Sequence, residues 1–165
     1  TDTGRTWRVT NQSVKPMRIL FGLQLAAKRD TAAENNMIFD RCNLTEIQLR
    51  VNGKQYPQEA LKVNYAAGEE DWARAYASFV SAGGKGFDPD TGCLIDYKTF
   101  GELYPIYAFD LTTADDSLFG NSADIEVRVT LKNAPGSYAI YCVIESESSV
   151  LFKGAGGGRM VVDQL

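Results

Sequence analysis

The feature that constrains this chain most is the Asn52-Gly53 pair within residues 39–57. Asn-Gly is the dipeptide that most readily adopts the two positive φ angles of a type I′ turn, which joins two antiparallel strands. Before the pair, alternate residues divide into an apolar-rich set and a mostly polar set: Thr45, Ile47, Leu49 and Val51, then Leu44, Glu46, Gln48 and Arg50. Such sets lie on opposite faces of a strand, so the stretch predicts a β-hairpin in an antiparallel sheet with one buried face.

Other parts of the chain show the same strand pattern. Apolar residues alternate or cluster in residues 7–10, 17–27, 104–111, 124–132, 138–144 and 150–162. Residues 124–132 are the most regular, with apolar residues at every second position: Ile125, Val127, Val129 and Leu131. Gly22 interrupts the second segment and predicts a bulge or the close approach of another group. About eight strands joined by turns, without alternating helices, predict a two-sheet antiparallel sandwich.

Residues 68–103, between the fourth and fifth predicted strands, depart from this pattern, and we name them the excursion. Aromatic and small residues recur at intervals of three and four after the acidic residues 69–71. This pattern, with negative charge in the first turn, predicts an amphipathic helix over residues 68–82. A glycine-rich loop follows over residues 81–92, and Asp96 is placed to cap a short helix over residues 96–103. The aromatic residues have two candidate roles, namely packing of the helix on its own sheet or contact with a ligand or partner subunit: Trp72, Tyr76, Phe79 and Phe87.

The residue content argues against catalysis. The sequence contains no histidine, which removes Ser-His and Cys-His catalytic pairs and histidine metal sites. Acidic pairs remain, such as Asp88 with Asp90 and Asp115 with Asp116. Neighbouring loop carboxylates are usually solvated turn residues, whereas a glycosidase needs two carboxylates across a cleft. We therefore expect no enzymatic activity and no bound metal or cofactor.

Cysteine, charge and hydropathy patterns describe the setting. Cys42, Cys93 and Cys142 are widely spaced and form no CxxC pair, so we expect buried reduced thiols and folding in a reducing compartment, the cytoplasm or the nucleus. The net charge is −4 with both signs interspersed, which argues against a specific nucleic-acid surface. No apolar run reaches the roughly 20 residues of a membrane span.

Several short motifs occur in one order along nearly the whole chain. They are Trp7-Arg8-Val9, the strand of residues 16–24, Phe39-Asp40-x-Cys42-Asn43-Leu44-Thr45, the Asn52 turn with Tyr56-Pro57, and Tyr104-Pro105-Ile106-x-x-Phe109-Asp110-Leu111. In order and spacing these motifs resemble the second jelly roll of the double-jelly-roll major capsid proteins of Polinton (Maverick) elements and adintoviruses. The resemblance implies an all-β fold, an antiparallel eight-stranded jelly-roll sandwich with the helical excursion between its fourth and fifth strands.

The resemblance also implies a structural role in a virion. In this lineage each chain carries two jelly rolls, three chains form a pseudo-hexagonal capsomer, and the capsomers tile an icosahedral shell. The implied partners are copies of the same chain and neighbouring capsomers, with penton or minor capsid proteins as further candidates. Insertions like the excursion lie at the top or flank of such capsomers. The candidate subunit interface is therefore the loop around Phe87, together with Trp72, Tyr76 and Phe79.

This chain departs from the lineage in its domain content. Residues 1–165 are predicted to form a single jelly-roll domain, and the match is to the C-terminal roll. We expect either that this roll is the second of two in a longer capsid protein, whose first roll has been cut away, or that the gene encodes a single-roll descendant, such as a capsid gene adopted by a host genome. Jelly rolls also serve as lectins, so the alternative function is a binding module for a carbohydrate or a protein ligand.

Overall fold

A computed structural model describes residues 2–10, 15–29, 31, 33–35, 37–83, 94–119, 123–133, 136–146, 150–155 and 159–164. The strands are β1 (Asp2–Thr10), β2 (Pro16–Leu25), β3 (Leu44–Val51), β4 (Lys54–Lys62), β5 (Ile106–Asp110), β6 (Ile125–Lys132), β7 (Tyr138–Ser146), β8 (Val150–Ala155) and β9 (Arg159–Gln164). The helices are α1 (Ala26–Arg29), α2 (Ala73–Ala82) and α3 (Tyr97–Glu102), and a 3-10 turn covers Asp116–Leu118. In the described ranges, no helix is long and apolar enough to cross a membrane.

The strands form two main antiparallel sheets. One has four strands in the order β1-β6-β3-β4, and the other has three in the order β5-β2-β7. Three of the pairings are nested, because β3 pairs with β4, β2 with β5 and β1 with β6. Nested pairing results when one long two-stranded ribbon folds back at the β3–β4 turn and wraps from sheet to sheet. The architecture is therefore that of a jelly-roll-like fold.

The strand count differs from the prediction. The two main sheets contain seven strands in all rather than eight. Six belong to the nested pairs, and β7 joins β2 on the side opposite β5. β8 and β9 pair with each other in a separate two-stranded sheet. Apolar patterns locate strands but do not identify their partners, which is why residues 150–162 were wrongly predicted to add one strand to the sandwich.

The β3–β4 turn adopts the backbone that an Asn-Gly pair favours. Asn52 and Gly53 have φ angles of 49° and 79°. The Asn52 side-chain nitrogen Nδ2 donates to the carbonyls of Leu118 and Phe119, at 2.8 Å each. Its Oδ1 accepts from the backbone nitrogen of Asp124 at 3.0 Å. Asn52 therefore also ties the hairpin to the segment that leads into β6.

Replacement of Gly53 by valine is expected to lower the free energy of unfolding by about 1 kcal/mol or more. A Cβ at this position would meet no atom within 4 Å, so the cost comes from holding a β-branched residue at positive φ. Gly53→Asn is the matched control, because asparagine tolerates this backbone region and should cost less. Urea denaturation measures both variants. Equal midpoints for Gly53→Val and the unchanged protein would show that the turn does not impose this strain.

The core lies between the inner faces of the two main sheets. β6 shows the alternation expected of it, with every second residue buried from Ile125 to Leu131. β2 contributes Ile19, Phe21 and Leu23, which are also buried. Gly22 lies on the opposite face of β2, and an added Cβ there would be 2.5 Å from the ring of Phe39. The close approach expected at this glycine is therefore present.

β3 does not follow its predicted two faces. Leu44 and Gln48 were assigned to the polar face but are buried. The register with β6 shifts between Leu44 and Glu46, and this irregularity turns Leu44 toward the core. The register with β4 shifts once, between Ile47 and Leu49, and the Nε2 of the intervening Gln48 donates to the carbonyl of Pro57 at 3.2 Å. The buried amide thus holds the irregular part of β4 against β3.

α2 is shorter than the helix predicted over residues 68–82. It begins at Ala73, and the acidic residues 69–71 precede it instead of occupying its first turn. Asp71 forms a backbone bridge with Asn64, and its Oδ1 accepts from the backbone nitrogen of Ala73 at 3.1 Å. α3 begins after Asp96, whose Oδ1 accepts from the backbone nitrogen of Thr99 at 2.9 Å. The hydrogen bonds from Thr99 lower the pKa of the Asp96 carboxyl.

Candidate functional site

Six aromatic rings meet in and beside the excursion, and we name them the aromatic cluster: Tyr65, Trp72, Tyr76, Phe79, Tyr97 and Phe100. Trp72 stacks between Tyr65 and Tyr97, with ring centroids 5.5 and 5.4 Å away. Phe100 is fully buried and contacts Tyr76 and Phe79, each with centroids 5.4 Å apart. Stacked and edge-on pairs at these distances are favourable. The cluster therefore holds α2 and α3 together.

Three of the four polar side-chain atoms of the aromatic cluster, those of Tyr65, Trp72 and Tyr76, have partners inside the domain. Trp72 Nε1 donates to the carbonyl of Tyr97 at 3.0 Å, and Tyr76 Oη donates to the carbonyl of Ile95 at 3.0 Å. The hydroxyls of Tyr65 and Tyr107 lie 2.8 Å apart, and burial raises the pKa of both. Both phenols are therefore neutral at physiological pH. These groups serve internal packing and are not aimed at a ligand.

Arg41 connects the aromatic cluster to the segment before β3. Its guanidinium carbon lies 5.1 Å from the ring centroid of Tyr65 and 5.5 Å from that of Trp72, within the range of cation–π attraction. Arg41 Nε also donates to the carbonyl of Gly101 at 2.7 Å. A Cβ on Gly101 would lie 2.2 Å from the Trp72 ring, so only glycine fits without a shift. The excursion and the β3 segment are packed as one unit.

The aromatic residues predicted as a subunit interface occupy different positions. Trp72 is 8% exposed and stacks on both sides within the domain, so it has almost no surface to offer a partner. Tyr76 and Phe79 are half-buried and pack on Phe100, so only part of each side chain is in solvent. Phe87 lies outside the described residues. The structure therefore uses the α2 aromatics mainly to fold the domain.

Sequence reasoning identified some members of this unit and missed others. Tyr97 and Phe100 stand three residues apart in the predicted short helix, and that spacing indicates a common face. Arg41 and Tyr65 belong to neither helix and match no periodic pattern with them. No local signal could have revealed these two residues, because their contacts with Trp72 depend on how the strands are arranged.

Large apolar side chains outside the aromatic cluster remain exposed at several places, among them Met37 and Leu103. Leu94, just after the predicted glycine-rich loop, is fully exposed. Tyr141 and Val143 on β7 are 40% and 63% exposed. The ring of Tyr141 lies 6.3 Å from that of Phe39, which covers Gly22 on the same face of the sheet. Exposed apolar groups of this kind are candidates for contact with another protein.

The cysteines do not all follow the prediction of buried thiols. Cys42 is buried, and this burial raises the pKa of its thiol to about 12. Cys142 is exposed, which contradicts the prediction for this residue. It lies on β7 at the edge of its sheet, where only one neighbouring strand shields it. Cys93 lies outside the described residues.

The acidic residues considered for catalysis have structural partners where the structure describes them. Asp115 Oδ1 accepts from the backbone nitrogen of Ser117 at 2.8 Å, which lowers the pKa of that carboxyl. Asp116 pairs with Lys15, with Oδ1 and Nζ 2.6 Å apart. Asp88 and Asp90 are among the residues that the structure does not describe. Within the described part of the chain, no group of three or more acidic or cysteine side chains could hold a metal ion.

A groove of about 450 Å³ runs beside α1, but its charged groups are already paired. Lys28 Nζ lies 2.5 Å from Asp40 Oδ1, and Asp40 Oδ2 accepts from the backbone nitrogen of Leu25 at 2.9 Å. Both carboxylate oxygens thus bind groups of the domain itself. The pair anchors the segment before β3 to the end of β2.

Comparison with known proteins gives a family match for most of the chain. A family model described as double jelly roll-like domain matches residues 1–150. No curated protein and no solved structure matches the chain. The matched residues contain β1 to β7, and therefore both main sheets and the excursion.

Proposed function

Because the chain belongs to the double jelly roll-like domain family, we propose that it is a structural domain of a viral or virus-like capsid protein. Double jelly roll-like domains are typical of viral capsid proteins. The observation that carries this proposal is the extent of the family match, which contains every strand of the two main sheets. The sandwich alone would not carry it, since jelly rolls serve many functions.

We further propose that the domain is the C-terminal jelly roll of a major capsid protein related to those of Polinton (Maverick) elements or adintoviruses. The motif series described above supports this lineage, and several of its residues hold strands together. Asp40 binds Lys28 and the backbone of Leu25. Tyr56 Oη donates to the carbonyl of Asp110 at 2.8 Å, which links β4 to β5 across the two sheets. Residues that hold strands together in this way are the ones that proteins sharing a fold are expected to have in common.

In this role three chains form a capsomer, and capsomers tile an icosahedral shell with penton or minor capsid proteins as further partners. The mature protein resides in the virion after folding in the reducing cytoplasm or nucleus of a host cell. Support for contacts through the excursion comes from Leu94, which is fully exposed. The half-buried Tyr76 and Phe79 lie on α2 in the same excursion, and Phe87 remains a proposal from the sequence.

A structural role needs no catalytic residue, metal or cofactor, and we propose that the domain has none. The sequence lacks histidine. In the described ranges, Asp115 and Asp116 bind separate partners instead of facing each other across a cleft. The tyrosine pair of Tyr65 and Tyr107 is neutral and internal. These observations favour a building block over an enzyme.

Electron microscopy of the full-length gene product that contains this chain tests the capsid proposal. We expect trimeric capsomers or closed shells in negative stain. Leu94→Ser should reduce the yield of assemblies while the melting temperature of the domain stays unchanged, because the side chain makes its contacts only with a partner. Lys98→Ser is the matched control, since Lys98 is an exposed polar residue close to Leu94 in the chain.

A glycan array with the same protein distinguishes the binding-module alternative. Specific binding of one sugar class by a protein that never assembles would contradict the capsid proposal. If assembly is unchanged in Leu94→Ser, the capsid proposal stands, but the proposal that Leu94 of the excursion contacts a neighbouring subunit is wrong.

A further inference from the structure

The two main sheets end in four edge strands, β1, β4, β5 and β7. An edge strand presents unpaired backbone N–H and C=O groups to any other strand unless charge, proline, irregular pairing or a covering element prevents it. β1 carries the exposed Arg5 and Arg8, and β4 carries Pro57 in an irregular stretch. β5 packs against α2 and accepts a hydrogen bond from Tyr56 at Asp110. Three of the four edges are therefore protected.

In the described part of the chain, β7 has the least of these protections, because its one charged residue, Glu145, lies near its end and is paired with Arg18. Its residues from Tyr138 to Ile144 include no charged residue and no proline, and its pairing with β2 is regular from Tyr138 to Glu145. Both of its faces are apolar. Ile140, Cys142 and Ile144 lie on the face of the core residues Ile19, Phe21 and Leu23, which are their partners on β2. Tyr141 and Val143 lie on the other face and are exposed.

We propose that β7 is a homotypic pairing edge, at which β7 of a second copy of this chain adds in antiparallel orientation with Cys142 at the two-fold axis. A strand that is apolar on both faces resembles the interior of a sheet more than its border. Addition of the second β7 joins the two three-stranded sheets into one six-stranded sheet, with the order β5-β2-β7 in each half. Backbone hydrogen bonds along the edge provide the attraction.

The register follows from the length of β7. Of all antiparallel registers of this nine-residue strand with itself, only the one centred on Cys142 pairs all nine residues. It places Ile140 opposite Ile144 of the partner subunit and Tyr141 opposite Val143 of the partner subunit. Both are apolar pairs on matching faces, and pairs of this kind stabilise sheets. The thiols of the two Cys142 residues then face each other across the axis.

A second copy is favoured over other occupants for two reasons. The chain has a net charge of −4, so two copies repel each other least where they meet through a strand whose only charged residue, Glu145, is already paired with Arg18. The next described strand in the chain, β8, belongs to a separate two-stranded sheet with β9 and is not hydrogen-bonded to β7. The inference needs only the domain itself and goes beyond the capsid proposal. A dimer that forms no shells would leave the β7 proposal intact. Shells that lack the β7 contact would overturn the β7 proposal and leave the capsid proposal standing.

The test measures self-association of the purified 165-residue chain. Sedimentation velocity should show a monomer–dimer equilibrium, and hydrogen exchange should show β7 amides that become more protected as concentration rises. A short bismaleimide adds one thiol at each end and should link two copies of a Cys93→Ser variant through Cys142. Val143→Lys should raise the dimer dissociation constant by about tenfold or more, because the charge sits in the paired edge. Gln55→Lys, on the exposed part of β4, is the matched control and should not change it.

Three outcomes would overturn the proposal. The first is a chain that stays monomeric at the highest soluble concentration. The second is a dimer that Val143→Lys does not weaken and whose cross-link survives Cys142→Ser. The third is protection of β7 amides at every concentration, which would assign the edge to another strand of the same chain. The exchange measurement uses the unchanged protein, so the test does not depend on the folding of any variant.

Discussion

Replacement of Phe100 by alanine is expected to lower the free energy of unfolding by about 3–5 kcal/mol. Phe100 is fully buried, and its ring contacts Tyr76 and Phe79 on α2. Removal of the ring loses the free energy gained when the ring is transferred from water to the core, and it leaves a cavity between α2 and α3. α3 cannot move to close this cavity, since Arg41 holds its Gly101 carbonyl and Asp96 caps its first turn.

Chemical denaturation of Phe100→Ala measures this loss, and Leu94→Ala in the same excursion is the matched control. Leu94 is fully exposed, so its truncation should change stability by no more than about 0.5 kcal/mol. A loss of less than about 1 kcal/mol for Phe100→Ala would show that the aromatic cluster is not packed as described.

Replacement of Gly101 by alanine is expected to destabilise the domain by about 1–3 kcal/mol through overpacking. Alanine is the better helix former by about 1 kcal/mol, so helix propensity alone predicts the opposite sign. The steric effect dominates because the new Cβ would lie 2.2 Å from the ring of Trp72. Trp72 cannot easily yield, since it is stacked between Tyr65 and Tyr97 and donates a hydrogen bond.

A double-mutant cycle identifies the clash as the cause. In a Trp72→Ala background the ring is absent, so Gly101→Ala should become neutral or stabilising, and the cycle should show strong coupling. Gly4→Ala is the control, because a Cβ at Gly4 meets no atom within 4 Å and should cost little. Gly101→Ala with the same cost in both backgrounds would exclude Trp72 as the origin of the effect.

Local signals were sufficient for several elements. The alternation of residues 124–132 agrees with β6, because a regular strand with one buried face repeats every two residues. The Asn52-Gly53 pair has the positive φ angles of a hairpin turn, and this preference belongs to the two residues themselves. Asp96 caps α3 through its own side chain, so this helix start was predictable from the local sequence.

Predictions were wrong where distant contacts changed a local pattern. Gln48 and Leu44 are buried because the pairing of β3 with its two neighbours is irregular, and no residue of β3 alone signals this. α2 begins late because Asp71 forms a backbone bridge with Asn64, which removes it from the helix. The strand count changed because β8 pairs with β9 outside the two main sheets.

In the candidate sites, too, some features were predictable from the local sequence and others depended on contacts between distant segments. Spacing alone grouped Trp72, Tyr76 and Phe79 on one face of a helix. It could not show that Trp72 stacks between two tyrosines under Arg41, because those residues come from segments that the fold brings together. The apolar character of β7 was also visible in the sequence. Whether that strand is an interior strand or an edge depends on its neighbours in the sheet.

The sequence by itself determined where the strands and the central turn lie, and its lack of histidine removed most catalytic chemistry. These properties depend on residues close together in the chain, whose backbone preferences and two-residue or helical periods are local. Only the tertiary structure decided the nested order of pairing, the burial of Trp72 and the open edge at β7. Each of these features depends on which distant segments of the chain meet. An apolar face can be buried against any partner of suitable shape, so the apolar pattern of a strand does not specify which segment covers it.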